Sequence, residues 1–232
     1  MPSLQCFLCR AVLRLGATVC PSCHMLLLVK GRFALYAYLN QGGFGTVYTA
    51  HDLQNANAIC AVKVVPFESQ DQYDQALREV DILQRHQLRF IPSFYTMQLH
   101  NASVYIVTEY IHGNTLSTYP RGFWHSGRVE RMVTVLLSYL MELHGRGIVH
   151  RDLSPTNIMR LDSDPAEYVL LDFGIAKEGT STISAMRQAG NPGYAAPEQL
   201  RGEGTSAASD LYSLGATAYS LLTGSMPTTL DA

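Results

Sequence analysis

The chain has 232 residues, of which 47% are hydrophobic and 16% are charged, so it can bury a sizeable core and is not a disordered chain. A net charge of −2 and a pI near 6.4 disfavour nucleic acid and acidic membrane surfaces as partners. The longest apolar run near the N-terminus, Met25–Val29, is too short to cross a bilayer, and no secretion signal accompanies it. These features predict a cytoplasmic chain without a membrane segment, built as one domain or as one domain with a small appendage.

The first predicted element is a cysteine-rich segment at residues 1–28. Four of the five cysteines form two C-x-x-C pairs separated by ten residues, at Cys6, Cys9, Cys20 and Cys23. Two such pairs can place four thiolates tetrahedrally around one Zn²⁺ ion, and the segment resembles a zinc ribbon. A pair of disulfides is the alternative interpretation, which a cytosolic setting disfavours.

This metal site is predicted to be structural, or to dock a protein partner, because four cysteine ligands leave no open position for chemistry. About 25 residues cannot build an apolar core, so the metal would supply the folding energy. His24 could replace one thiolate but is interpreted as a bystander. Cys60 stands apart in an apolar run and is interpreted as a small core residue.

A glycine-rich hairpin is predicted next. Short β-type runs at Phe33–Leu39 and Thr46–Ala50 flank Asn40–Gly45, which contains three glycines. Glycine lets backbone N–H groups approach phosphate oxygens that a Cβ atom would keep away. A strand rather than a helix follows the glycines, so the hairpin is not a dinucleotide-binding fingerprint.

The next two predicted elements are a buried strand and an amphipathic helix. The strand, Ala58–Val65, is apolar except for Lys63, and the helix covers Tyr73–Gln87. A lysine inside an apolar strand is costly without a partner. Glu79 on the helix is a candidate partner, although the residues alone favour a solvated helix face.

Two further strands and then a mostly helical region complete the predicted pattern. The strands lie at Ser93–Gln98 and Val104–Ile111. Apolar side chains at helical spacing predict a buried helix over Arg128–Arg146, and another helix begins at Ser209.

Three polar residues between these helices carry the strongest signal for chemistry. Asp152 is followed five residues on by Asn157, and Asp172 comes after a short apolar run. In phosphoryl transfer one carboxylate accepts the proton of the attacking hydroxyl, while an amide oxygen and a second carboxylate hold Mg²⁺ against the nucleotide phosphates. The pattern therefore indicates a phosphoryl-transfer site.

These stretches resemble the motifs of the protein kinase superfamily, in its bacterial serine/threonine form. His150–Asn157 is similar to the catalytic loop H-R-D-L-x-x-x-N, and Asp172–Gly174 to the D-F-G motif. The glycine hairpin and Lys63 resemble the Gly-rich loop and the lysine of V-A-I-K, and Gly190–Glu198 resembles the segment that ends the activation loop.

The resemblance covers residues from about 31 to 232. It implies an α+β, two-lobed protein-kinase-like fold preceded by the small zinc ribbon. The N-lobe, at 31–112, would contain a small sheet and helix C, and the C-lobe, at 113–232, would be mostly helical and incomplete at its C-terminus.

The resemblance also implies a role for each candidate residue. Asp152 would be the catalytic base, Lys63 would contact the ATP phosphates, and Glu79 would pair with that lysine. Asn157 and Asp172 would bind Mg²⁺, for which Mn²⁺ is a substitute. The other predicted nucleotide contacts are Leu39, Gly42, Gly43, Phe44, Gly45, Val47, Ala61, Thr108, Glu109, Ile111 and Met159.

Three positions depart from the family pattern. Asn40 replaces the first glycine of the Gly-rich loop, and Asn191 replaces a threonine that bonds the catalytic aspartate. Ser154 replaces a lysine that stabilises the moving phosphoryl group, and the absence of that lysine should slow transfer.

The resemblance also gives roles to residues outside the nucleotide site. Arg151 would pair with an activation-loop phosphate, and Asp210 would hold the catalytic loop by its backbone. The candidate phosphorylation sites are Thr180, Ser181, Thr182 and Ser184.

The function implied is that of a Ser/Thr protein kinase, which moves the γ-phosphoryl group of ATP to protein hydroxyls in signalling. The alternative is a weakly active or inactive pseudokinase that binds nucleotide and docks partners through its zinc ribbon. A zinc-dependent binding module is a further rival, which chelation of the metal would discriminate. A small-molecule phosphotransferase is disfavoured, because the peptide-positioning segment Gly190–Glu198 is largely present.

Overall fold

Two compact units make up the chain in the computed structural model. The sheet unit comprises Met1–Gln87 and Pro92–Tyr110, and the helical unit comprises Leu88–Ile91 and Ile111–Ala232. No helix among the described residues is long and apolar enough to cross a membrane. The structure describes residues 5–42, 45–162, 167–173, 177–178 and 193–227.

The sheet unit is built on a six-stranded antiparallel sheet. Its strands are β1 (Leu28–Val29), β2 (Phe33–Gly42), β3 (Gly45–Asp52), β4 (Ala58–Pro66), β5 (Phe94–His100) and β6 (Ser103–Glu109). Their order across the sheet is β1-β2-β3-β4-β6-β5. The predicted glycine hairpin is confirmed as β2 and β3, and both strands run further than predicted because pairing continues to Gly42 and Gly45.

Helix α1 (Gln70–Arg85) connects β4 to β5 and confirms the predicted amphipathic helix. It begins three residues before the predicted start, because its first turn is polar and shows no apolar stripe. The hydroxyl of Ser69 marks the true start by accepting the backbone N–H of Gln72. The buried side of the helix carries Ala76, Glu79, Val80, Ile82 and Leu83.

The two faces of this sheet are covered differently. Since successive residues of a strand point to opposite faces, the ladder register defines a lysine face, with Val47, Ala61, Lys63, Ile106 and Thr108. The opposite side is the ribbon face, which packs against the cysteine-rich segment. It consists of Tyr48, Ala50, Cys60, Val62, Tyr105 and Val107, all buried.

The cysteine-rich segment shares one hydrophobic core with the ribbon face. Cys6 and Cys20 are fully buried in this core beside Met25, Leu26 and Leu27. The backbone N–H of Leu26 donates to the hydroxyl of Tyr105 at 3.3 Å. The segment and the sheet are therefore packed as one body, while the boundary predicted between residues 28 and 31 stays a prediction.

The helical unit is organised around two packed helices, α2 (Ser126–Gly145) and α4 (Ala207–Thr223). Ser206 caps the start of α4, and Gly224 ends it in a left-handed conformation that suits glycine. A short helix α3 (Pro197–Leu200) lies between them in sequence, and a 3-10 turn covers Leu116–Thr118. The short strands are β7 (Gly113–Thr115), β8 (Ile148–Val149), β9 (Ile158–Leu161), β10 (Tyr168–Leu170) and β11 (Lys177–Glu178).

Candidate functional site

In the sheet unit, Lys63 of β4 and Glu79 of α1 form an ion pair. The Lys63 Nζ atom lies 2.8 Å from Oε1 and 2.7 Å from Oε2 of Glu79. The two side chains are only 15% and 6% exposed, so each charge needs the other to offset its desolvation. The ion pair predicted from the resemblance is confirmed, and the solvated helix face is wrong for Glu79.

We expect this pair to behave as a coupled unit in stability measurements. Glu79→Leu should destabilise the sheet unit by about 3–5 kcal/mol, because it removes the carboxylate that offsets the desolvation of the Lys63 ammonium. Adding Lys63→Met should recover most of this loss, since replacing both charges by apolar groups is close to neutral. Urea denaturation of the two single variants and the double variant measures the coupling.

The exposed pair Asp81–Arg85 on the same helix is the control. Asp81→Ala should cost less than about 0.5 kcal/mol, because solvent screens an exposed i,i+4 pair. A Glu79→Leu, Lys63→Met double variant that is as unstable as the sum of its singles would contradict the coupling.

Several predicted nucleotide contacts share the lysine face with Lys63. Val47 pairs with Lys63 across β3 and β4, and Ala61 pairs with Thr108 across β4 and β6. Gly45 has a φ of +148°, and a Cβ atom there would meet the Val64 carbonyl oxygen at 2.5 Å. Only glycine lets the hairpin approach β4 this closely.

The remaining predicted contacts fall in three places. Leu39 and Gly42 lie on the hairpin strand β2, and Glu109 ends β6, where its carboxylate accepts the hydroxyl of Ser93 at 2.9 Å. Ile111 and Met159 belong to the helical unit. The predicted residues outside the described part of the chain are Gly43, Phe44, Gly174, Thr180, Ser181, Thr182, Ser184 and Asn191.

In the helical unit, Asp152 and Asn157 are in direct contact. The amide nitrogen of Asn157 donates to the Asp152 carboxylate at 2.8 Å and to the Asp152 carbonyl oxygen at 2.9 Å. Because these bonds use the amide nitrogen, the carbonyl oxygen Oδ1 is the atom of Asn157 that can ligate a cation. A hard cation such as Mg²⁺ prefers this kind of oxygen ligand.

The stretch that carries Asp172 is tied to the same loop through Leu171. The Leu171 N–H donates to the Asn157 carbonyl oxygen at 2.8 Å, and the Leu171 carbonyl oxygen lies 3.1 Å from Nε2 of His150. Asp172 itself has a φ of +62°, which is uncommon for a residue other than glycine. The loop therefore brings together the backbones that carry Asn157 and Asp172.

Asp210 binds the backbone of the catalytic loop, and this confirms the prediction that it holds the loop in place. Its carboxylate is fully buried and accepts the backbone N–H groups of His150 and Arg151 at 2.9 and 2.8 Å. His144 of α2 adds a third contact at 2.8 Å. His144 and Asp210 are 66 residues apart in sequence, so a local pattern does not indicate this contact.

The four cysteines of the N-terminal segment lie in two knuckles of the same construction. In the first, the Arg10 N–H donates to the Cys6 carbonyl oxygen and Arg10 has a φ of 64°. In the second, the His24 N–H donates to the Cys20 carbonyl oxygen and His24 has a φ of 58°. Each knuckle directs its two thiols toward the other knuckle.

The spacing of the sulfur atoms fits a tetrahedral metal. All four Sγ atoms lie within 4.8 Å of one another, with Cys6–Cys23 at 3.9 Å and Cys9–Cys20 at 3.5 Å. Four thiolates at a Zn–S distance of about 2.3 Å would be about 3.8 Å apart. All four cysteines carry free thiols, so the disulfide alternative does not hold in this structure.

The electrostatics of the cluster fit a site that needs a cation. Backbone N–H groups of Cys23 and Ser22 lower the pKa of the Cys20 thiol to about 6. Burial raises the pKa of the Cys23 thiol to about 12. One thiol of the cluster is therefore easily ionised and another is not. A bound divalent cation would favour the ionised form of all four thiols together.

Comparisons with known proteins identify similarity to protein kinases. The family model described as "Protein kinase domain" matches residues 33–231. Serine/threonine-protein kinase F of Synechocystis sp. is 33% identical in an alignment of length 231 that covers 88% of this chain and 46% of that protein. Serine/threonine-protein kinase Pkn1 of Myxococcus xanthus is 32% identical, covering 95% of this chain and 34% of its own length. Serine/threonine-protein kinase PknA of Nostoc sp. is 33% identical, over 88% and 39%. The chain thus spans less than half the length of these relatives.

Proposed function

This chain belongs to the protein kinase family, and from that premise we propose that it transfers the γ-phosphoryl group of ATP to serine and threonine hydroxyls of proteins. The observation that carries the proposal is the contact between the Asn157 amide and the Asp152 carboxylate. This contact orients a basic group and a cation ligand in one loop, as phosphoryl transfer requires.

In this proposal each residue has a separate task. Asp152 accepts the proton of the substrate hydroxyl. The oxygen of that hydroxyl forms a bond to the γ-phosphorus while the bond between this phosphorus and ADP breaks. The Asn157 carbonyl oxygen and the Asp172 carboxylate would hold Mg²⁺, which would neutralise charge on the phosphates. Lys63, oriented by Glu79, contacts the α- and β-phosphates from the lysine face.

A weakly active or inactive kinase is the second candidate, and Ser154 is the observation that favours it. Ser154 is 1% exposed, and its hydroxyl lies 2.8 Å from that of Thr156. A short, buried hydroxyl cannot deliver positive charge to the moving phosphoryl group as a lysine would. We therefore expect slow transfer, on the scale by which a lost charge-stabilising donor slows other enzymes, about 10²–10³-fold.

Incubation with Mg-ATP followed by intact-protein mass spectrometry tests the proposal. We expect phosphate-sized increments on the chain, and transfer to casein as a hydroxyl-rich substrate, with neither reaction in EDTA. The non-hydrolysable β,γ-imido analogue of ATP is the second control. Binding of nucleotide without either reaction would support the inactive scaffold and contradict the kinase.

We further propose that the cysteine cluster holds a structural Zn²⁺ ion through Cys6, Cys9, Cys20 and Cys23. Free thiols of this kind persist where the environment is reducing, which supports a cytoplasmic location. Leu8, Val12 and Leu15 are exposed on the same segment and form the candidate surface for a docked protein partner.

A further inference from the structure

Gln199 is a buried amide that links helix α3 to the catalytic loop. The residue is 7% exposed. Its Nε2 donates to the carbonyl oxygen of Arg151 at 3.0 Å, and its Oε1 accepts the backbone N–H of Ala196 at 3.2 Å. From this geometry we propose that Gln199 is a positioning residue for phosphoryl transfer, which acts through the backbone that orients Asp152. The kinetic consequence rests on the proposed function.

The bond from Gln199 falls on the peptide group that joins Arg151 to Asp152. The carbonyl oxygen of this group accepts from Gln199, and its N–H donates to Nδ1 of His150 at 3.3 Å. Both ends of the peptide group are therefore held, and the group cannot rotate without breaking a hydrogen bond. Because this group is bonded to the Cα atom of Asp152, its orientation helps to set the direction of the carboxylate.

The backbone at Arg151 needs this support. Arg151 has a φ of +71°, in the left-handed region that residues with a Cβ atom rarely adopt. Its N–H is held by Asp210 at 2.8 Å, and its carbonyl oxygen is held by Gln199. A strained conformation persists only while its surroundings impose it, so loss of one bond should let the loop relax.

The position requires a donor and an acceptor on one side chain. Glutamine supplies both, because its nitrogen reaches the catalytic loop while its oxygen reaches the start of α3. An ionised glutamate has the same shape and keeps the acceptor, but it lacks the donor and places a charge against the Arg151 carbonyl oxygen. Gln199→Glu therefore removes the link to the catalytic loop with the least change in packing.

The effect of losing this link should fall on the chemical step. A displacement of about 1 Å in a reacting group can lower the rate about 10²-fold, whereas ATP binding by the sheet unit does not involve Gln199. An interaction needed only in the transition state lowers kcat and leaves KM unchanged.

Steady-state kinetics of Gln199→Glu and Ser209→Ala test the proposal. Ser209 is the matched control, because its hydroxyl donates to Glu198, the neighbour of Gln199, at 2.6 Å. We expect Gln199→Glu to lower kcat about 10- to 100-fold with KM for ATP within about twofold of the parent. Ser209→Ala should lower the thermal midpoint and keep kcat. Equal losses of kcat in both variants, or an unchanged kcat in Gln199→Glu, would overturn the proposal.

Amide hydrogen exchange separates this proposal from the proposed kinase activity. Loss of the Gln199 bond should accelerate exchange in a peptide that covers residues 148–157, and leave exchange in α4 unchanged. If the parent transfers no phosphate, the proposed activity fails and exchange alone decides the positioning role. Unchanged exchange at residues 148–157 in Gln199→Glu would then reject it.

Discussion

Replacing Asp152 by asparagine will lower the rate of phosphoryl transfer by about 10²–10⁴-fold, the range expected for loss of a general base. The Asp152 carboxylate accepts the Asn157 amide N–H at 2.8 Å. An asparagine at this position can still accept this hydrogen bond through its amide oxygen, so the loop should keep its conformation. What the variant loses is the basic oxygen that would take the proton of the substrate hydroxyl.

Initial rates of phosphate incorporation at saturating Mg-ATP measure this effect. Affinity for a fluorescent ADP analogue should change by less than about threefold, because the change removes a transition-state interaction rather than a nucleotide contact. Asp162→Asn is the matched control: it makes the same chemical change at an exposed position of the same unit, and should retain the parent rate. An Asp152→Asn variant with more than about a third of the parent rate would exclude Asp152 as the base.

Local patterns were sufficient to predict most elements of the sheet unit. The short β-type runs of β2 and β3 and the glycines between them predicted the hairpin, because strand propensity and turn chemistry act over a few residues. The boundaries were less accurate, as at the start of α1. There the Ser69 cap extends the helix into a polar turn that a search for apolar stripes does not detect.

The contacts that complete the candidate site were harder to predict, because they join distant parts of the chain. Gln199 lies 48 residues from Arg151 in sequence, and nothing in its immediate neighbours indicates a partner in the catalytic loop. The Lys63–Glu79 pair could be predicted only from the resemblance, since the helix alone allowed a solvated glutamate. Such pairings are set by packing, which a local pattern does not encode.

Local sequence patterns also could not predict where the cysteine-rich segment packs. Cysteine spacing predicted a ligand set, because four ligands within 23 residues satisfy the geometry of one metal ion. Spacing carries no information on which surface the segment covers. The structure places it on the ribbon face, where Met25–Val29 continue from the second knuckle into β1.

Removal of zinc should therefore destabilise the whole sheet unit and not the cysteine-rich segment alone. Cys6 and Cys20 are fully buried in the same core as Val62 and Tyr105. Without metal, the bonds from the four thiolates to zinc no longer join the two knuckles. The cysteine-rich segment then loosens, and the ribbon face of the sheet becomes exposed to water. Val62 immediately precedes Lys63 on β4, so the strand that carries the ion pair loses its packing on one face.

The size of this effect follows from linkage. Zinc at about 1,000 times its Kd stabilises the folded chain by about 4 kcal/mol. For a chain of this length, 4 kcal/mol corresponds to a fall of about 8–16 °C in the thermal midpoint when a chelator removes the metal. We expect affinity for the fluorescent ADP analogue to fall with it, because the sheet unit carries the predicted nucleotide contacts.

Cys20→Ser and Cys60→Ala form the matched pair for this experiment. Both replace a buried cysteine of the same core, but only Cys20 belongs to the cluster of four thiols. Cys60→Ala should bind one zinc per chain and lose the same number of degrees on chelation as the parent. Cys20→Ser should show the thermal midpoint of the chelated parent even before chelator is added, because a hydroxyl does not replace a thiolate as a zinc ligand. Adding the chelator should lower this midpoint little further. If chelation strips the metal from the parent and the midpoint stays within about 2 °C, zinc does not support the sheet, and the segment packs on the ribbon face without it.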